Sequence, residues 1–324
     1  MVQKSIELDH DFEREPVLSL CKKSGTNMTN RRDFMRYSGA AAMAVSLPSW
    51  AQDEVQLPTR PIADTGEELA VIGLGNSSAF RSTDRATAEP LLEIFLARGG
   101  NYVDVGGPSS AFVGQLGQEM GRTDQLFLAN YVDPMDVARM RERVVAMAQA
   151  QGKSALDLVH TRNLAGFRQG HDAYRQLKED GLIRFIGVAR TGAGNHETMA
   201  GLIEDGLVDF IQVNYSMMEP QAGERLLPLA AENGVGVAIS RPFINGDYFS
   251  MVRGHELPEW AAEFDCESWA QFSLKFILAN PAVNCVLTET ANPNHAVDNL
   301  GAGFGRLPDA AMRKRMLQYL RDLQ

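Results

Sequence analysis

An α/β fold of the (β/α)8 TIM-barrel type is predicted by three observations. Eight short apolar runs recur along the chain, amphipathic stretches rich in Ala, Glu, Arg and Leu separate them, and the series fills roughly the 250 residues such a barrel uses. The runs are AVIGL (70–74), YVDV (102–105), LFLA (126–129), LDLVH (156–160), IRFIGV (183–188), DFIQV (209–213), GVAI (236–239) and NCVL (284–287). Near-continuous aliphatic and β-branched composition suits parallel strands covered on both faces. Counted from Ile72 through Val103, Leu128, Val159, Ile186, Gln212, Val237 and Val286, the steps are 31, 25, 31, 27, 26, 25 and 49 residues. A strand, a helix and their two loops take up about 30 residues. The last step is long because a Pro/Gly-punctuated insertion, Pro242 to Cys266, precedes a helix beginning near Ser268. An open doubly wound sheet is the alternative, and Gly73-Leu74-Gly75 starts like its dinucleotide fingerprint. Ser78 stands where that fingerprint needs its third glycine, so the signal is set aside.

Composition narrows the function classes. The 324 residues are 44% hydrophobic and 22% charged, with 31 Lys and Arg against 41 Asp and Glu, a net charge of −10. No basic stripe is present to meet a phosphate backbone, which argues against nucleic acid as a partner. Cys21, Cys266 and Cys285 are too few for a disulfide framework and lack the close spacings of a metal site, although one Cys266–Cys285 pairing stays open.

Ahead of the barrel the sequence reads as a leader. In NRRDFMRYSGAAAMAVSLPSWAQ, the pair Arg31-Arg32 is followed by Phe34, Met35 and Arg36, then by the weakly apolar run Gly39 to Leu47, then by Ser49-Trp50-Ala51. Basic, apolar and small-residue zones in that order resemble a twin-arginine export signal, and nine apolar residues are too few to span a bilayer of about 30 Å. Residues 1–27 are expected to be an upstream extension with Met28 as the true start, 28–51 the signal, 52–69 a linker and 70–324 the barrel. The expected location is periplasmic, with no membrane span in the mature form. From Gln52 onward the basic and acidic counts are 24 and 35, so the exported body is the acidic part.

In a barrel of this kind chemistry belongs at the carboxyl ends of the strands. Several of those ends, VIGLG (71–75), YVDV (102–105), LFLAN (126–130), LKEDGLIRFIGV (177–188), VDFIQVNYS (208–216), LLPLAAENGVGVAISRPF (226–243) and NPNHAVDNLGAGFGRLPD (292–309), resemble the aldo/keto reductases, in particular the group with twin-arginine signals. The resemblance implies NADPH as cofactor and a small-molecule carbonyl substrate. It also implies a tetrad of a proton-donating tyrosine, a lysine that lowers its pKa, an aspartate paired with the lysine, and a histidine that orients the carbonyl. Asp104 matches the aspartate, whereas Ser109 falls where the tyrosine belongs, Tyr131 where the lysine belongs and Arg162 where the histidine belongs. By the same resemblance Gln212 and Asn214 meet the nicotinamide, Arg241 and Asn245 lie near the pyrophosphate path, and His295 and Asn299 sit on the adenine-side helix. The family's I-P-G-T becomes Leu287-Thr288-Glu289-Thr290, which puts bulk and negative charge where backbone must approach an anion.

These residues leave three expectations. In one, reductase activity is lost while binding of a small molecule or nucleotide remains. In the second, a rearranged site works through Tyr131, its phenol pKa lowered by Arg162. In the third, Asp104, Asp133, His160, Arg162 and Glu219 serve some unrelated barrel chemistry. His160 is expected to point away from Arg162, or to be a hydrogen-bonded core residue.

Overall fold

A computed structural model describes residues 55–323, so the expected extension (1–27) and signal (28–51) lie outside the described residues. All eight apolar runs form strands: β3 (Ile72–Leu74), β4 (Tyr102–Asp104), β5 (Phe127–Tyr131), β6 (Leu156–Thr161), β7 (Ile183–Ala189), β8 (Phe210–Asn214), β9 (Gly236–Ser240) and β10 (Cys285–Thr288). Every neighbouring pair is parallel, and β10 closes on both β9 and β3.

The expected linker 52–69 is in part structured. β1 (Thr59–Pro61) and β2 (Glu68–Ala70) pair as an antiparallel hairpin, Thr59 opposite Ala70. Leu69 and the hairpin residue Ile62 are buried in the same apolar cluster as the barrel interior. The hairpin therefore closes the amino end of the barrel.

Period-two alternation fills the inside. Tyr102, Phe127, Leu158, Phe185, Phe210, Ala238, Cys285 and Leu287 form that inner cluster. Its aromatic layer is continuous, with ring centroids 5.4 Å apart for Tyr102 and Phe127, 5.9 Å for Tyr102 and Phe210, and 5.8 Å for Phe127 and Phe185. Burying each such ring is worth about 2 kcal/mol, so this layer anchors the strands that carry the site.

The alternate strand residues pack outward against the helices α1 (Ser78–Arg81), α2 (Arg85–Ala97), α3 (Pro108–Glu119), α4 (Val137–Ala150), α5 (Leu164–Glu179), α6 (His196–Glu204), α7 (Leu226–Glu232), α8 (Asp247–Met251), α9 (Trp269–Leu278), α10 (Pro293–Gly301) and α11 (Ala310–Asp322). Side-chain caps start several of them. Asn163 accepts from Gly166 N at the head of α5, and Ser268 from Gln271 N at the head of α9, where the sequence predicts a helix start. The insertion 242–266 folds as short turns around α8 and is pinned by the Tyr248 hydroxyl donating to Trp269 O at 2.9 Å.

At the amino end of the barrel, charge is matched. Asp157 accepts from Leu128 N (2.9 Å), Lys153 Nζ (2.6 Å) and Arg184 Nη1 (2.9 Å), and Arg184 also pairs with Glu67. Asp209 accepts from both Lys178 and Ile186 N. Cys266 and Cys285 are buried free thiols. Among the described residues no helix is long and apolar enough to cross a membrane.

Candidate functional site

Asp104 and Tyr131 end β4 and β5, Arg162 follows β6, and Gln212 lies in β8. Strand alternation turns all four toward the barrel axis, and they meet at its carboxyl end. The Tyr131 hydroxyl donates to Asp104 Oδ2 at 3.3 Å and accepts from Gln212 Nε2 at 3.2 Å. Gln212 Nε2 also donates to Asp104 Oδ2 at 3.2 Å. From the layer below, the Tyr102 hydroxyl donates to Gln212 Oε1 at 3.4 Å. A polar strut therefore crosses the barrel from β4 and β5 to β8, and every donor in it leads to Asp104 Oδ2. The Arg162 guanidinium lies over the Tyr131 ring, 4.1 Å from its centroid, on the solvent side.

Electrostatics follow from burial. Asp104 is 5% exposed, and burial pushes its carboxyl up to about 6 against the opposing pull of the Gln212 and Tyr131 hydrogen bonds and the Arg162 charge. Tyr131 differs from the expectation that Arg162 lowers its pKa. Burial first, and the Asp104 charge second, raise it above the ordinary phenol value, outweighing Arg162. The phenol keeps its proton.

His160 also differs from expectation. Residues two apart on a strand share a face, so His160 points inward beneath Arg162. Its ring lies 5.5 Å from that of Tyr131 and 6.2 Å from Phe210, fully buried, and neither nitrogen has a hydrogen-bond partner among the described residues. Burial, then the Arg162 charge, lower its pKa to about 3, so the imidazole is neutral. Asp104 Oδ1, Asn76 Oδ1, Ser77 Oγ and Arg241 Nε are likewise buried without a partner.

The other residues singled out from the sequence are placed around this centre. Asn214 accepts from Gly192 N at 2.7 Å and donates to Glu219. Arg241, Ile244 and Asn245 adopt left-handed backbone (φ 54°, 48° and 55°) in the loop after β9. His295 is exposed on α10 and Asn299 is buried one turn further on. Arg241, Asn245, His295 and Asn299 share no hydrogen bond with the central four among the described residues. Ser109 is bound to backbone, its hydroxyl donating to Gly106 O and accepting from Gly106 N, both at 2.9 Å. Asp133 accepts from Thr161 at 2.7 Å. Glu289 folds over Gly75, where an added Cβ would lie 2.5 Å from Glu289 Cγ, and pairs with Arg81 at 3.6 Å. Among the described residues no group of three or more His, Cys, Asp or Glu is placed to hold a metal ion.

Sequence reasoning did not single out Tyr102. The signal was present, since Tyr102 precedes Asp104 by two and therefore shares its face.

A closed parallel eight-stranded barrel with polar groups gathered at its carboxyl end defines the TIM-barrel class. More particularly, the chain belongs to the aldo/keto reductase family, whose profile matches residues 71–315. It is 29% identical over 113 residues to the NADH-specific methylglyoxal reductase of Escherichia coli (strain K12), 33% of this chain and 34% of that protein. The match thus spans about a third of that relative. Two similar solved structures are the holo form of the aldo-keto reductase AKR11C1 from Bacillus halodurans (TM-score 0.67, 20% identity) and the aldo/keto reductase from Klebsiella pneumoniae in complex with NADP and acetate (TM-score 0.65, 20% identity). Each alignment covers 82% of this chain and 96% of the other, a likeness of fold.

Proposed function

We propose that this protein is an exported aldo/keto reductase-type barrel that binds a small molecule at its carboxyl-end mouth and has lost hydride-transfer activity. The Asp104–Tyr131–Gln212 strut carries the reading. A general acid must release its proton toward substrate oxygen, whereas the Tyr131 phenol donates its proton to Asp104 and has its pKa raised. Among the described residues no lysine bonds Asp104, and Ser109, at the expected tyrosine position, is turned to backbone.

NADPH is the cofactor that family membership implies, and the residues present do not fit it. The Gln212 side chain, expected to hold the nicotinamide carboxamide, spends its amide on Asp104, Tyr131 and Tyr102. Glu289, which stands where the family's backbone is expected to approach an anion, folds its side chain over Gly75. No step through the cofactor is therefore derived. Export by the twin-arginine route to the periplasm agrees with this, because that compartment offers no evident NADPH pool. One observation favours the rearranged-reductase reading, the stacking of Arg162 on Tyr131. Its effect on the phenol is outweighed by burial and by Asp104.

The test is a titration of NADPH followed by ultraviolet turnover assays with methylglyoxal, other aldehydes and quinones. We expect weak NADPH binding, a tightening of at least tenfold in Glu289→Gly, and oxidation no faster than without protein. Enzyme-dependent NADPH consumption by the wild type overturns the reading.

A further inference from the structure

We propose that Tyr131 is an internal stopper in the barrel mouth, and that the ligand is a small planar molecule bearing a ring hydroxyl, a phenol or an enol, that displaces the Tyr131 side chain and takes its place between Asp104 and Gln212. The proposal rests on the small-molecule-binding reading above and names the class of ligand for that site.

The protein's own phenol displays what the station recognises. It supplies one acceptor (Asp104 Oδ2), one donor (Gln212 Nε2), a guanidinium over the ring face and an imidazole at the ring edge. A hydroxylated ring satisfies all four. An aliphatic carbonyl, with no proton to give Asp104 and no face for Arg162, satisfies one.

Tyr131 is held loosely enough to leave. Its hydroxyl reaches Asp104 at 3.3 Å, longer than the 2.5–3.0 Å or so usual for an O–H···O hydrogen bond, and the residue is only partly buried. It also has somewhere to go. A cavity of about 280 Å³ lies beside it, bounded by Gly106, Gly107, Ala111, Ala146 and Met147. A cavity of about 150 Å³ suffices to hold a benzene ring.

Beneath the stopper the polar groups are unmatched. Asp104 Oδ1 and both His160 nitrogens are buried and have no hydrogen-bond partner among the described residues while Tyr131 is in place. Buried polar groups are ordinarily hydrogen-bonded, and a ring carrying a second polar substituent meets these where tyrosine's hydrocarbon edge does not.

Fluorine NMR titration of the full chain with 4-fluorophenol and 4-fluoroanisole tests this. Wild type is expected to bind 4-fluorophenol saturably and 4-fluoroanisole, which has no proton to donate, at least tenfold more weakly. Tyr131→Phe, checked for an unchanged fold by its melting curve, is expected to bind 4-fluorophenol at least threefold more tightly, because its ring keeps the position without the two hydrogen bonds. Equal affinity for the two probes, no gain in Tyr131→Phe, or no binding of 4-fluorophenol overturns the proposal. The probe comparison on wild type decides the matter even where the variant folds poorly. Binding of methylglyoxal but not of 4-fluorophenol removes this inference and leaves the small-molecule reading standing.

Discussion

Asp157, at the amino end of β6, is met by a backbone amide, a lysine and an arginine, whereas Asp104, at the carboxyl end of β4, is met only by an uncharged amide and a phenol. The contrast runs round both rims. Asp209 at the amino end has Lys178 and a backbone donor, while at the carboxyl end His160, Asn76, Ser77 and Arg241 each leave a buried polar atom without a partner among the described residues. Both ends are built on the same strands, so length and hydrophobicity do not explain the difference. The matched rim serves stability, and the unmatched rim holds polar atoms at a cost that folding alone does not recover.

Acid titration gives the largest expected effect. His160 has its pKa depressed from the ordinary 6.5 to about 3, so the folded protein disfavours the imidazolium. Its stabilising contribution is complete above about pH 6.5 and is lost as pH falls toward 3, by up to about 5 kcal/mol at 1.36 kcal/mol per unit. Urea unfolding at pH 7, 5 and 4 is expected to show a steep acid loss in wild type and a shallower one in His160→Leu. Parallel slopes in the two proteins place the acid sensitivity elsewhere.

At the matched rim the expected change is the loss of a buried partner. Asp157→Ala leaves Lys153, whose side chain is only 11% exposed, with the Leu126 carbonyl but without its counter-charge, and removes the acceptor for Leu128 N. Breaking such a pair costs about 4 kcal/mol, readable as a lower urea midpoint at unchanged slope. A loss under about 1 kcal/mol makes the two rims alike.

The converse substitution at the mouth stabilises. Asp104 has its pKa raised from 3.8 to about 6, so the folded state favours the protonated form, a contribution present below about pH 3.8 and lost as pH rises through 6. Asparagine keeps an acceptor for Tyr131 and Gln212 without the charge. Asp104→Asn is expected to match wild type near pH 4 and to exceed it by about 3 kcal/mol at pH 8. A pH-independent difference refutes the burial argument.

How much of this the sequence carried depends on periodicity. All eight strands were legible because continuous apolar runs are what two-sided burial requires, and Asp104, Tyr131, Arg162 and Gln212 come together because each stands in or just after a strand at the same end. The three-residue strands β1 and β2, TRP and ELA, were hidden because one faces solvent at two of its three positions and neither has a period. Of the two expectations for His160, the outward one is overturned by the two-residue spacing to Arg162, and the core one holds for its burial but not for its hydrogen bonds. The sense of the Tyr131 shift was beyond sequence reasoning, since it turns on how deeply the ring is buried and on a carboxylate 27 positions earlier.

The smallest of the expected effects probes why the mouth tolerates an unpartnered imidazole at all. Gly187 stands opposite His160 in β7, and a Cβ added there would meet His160 Cδ2 at 2.6 Å and Phe210 O at 2.9 Å. The ring therefore occupies space that this glycine leaves. Gly187→Ala is expected to cost about 2 kcal/mol, the usual scale of overpacking in a filled core. The two contacts differ in what relieves them. Removing the ring in a Gly187→Ala, His160→Ala double variant eliminates the first contact and leaves the backbone contact with Phe210, so the two losses should sum to more than the double variant shows, by about 1 kcal/mol. Strict additivity in such a cycle means that Gly187 is required by the strand backbone alone, and that the mouth holds His160 without having been shaped around it.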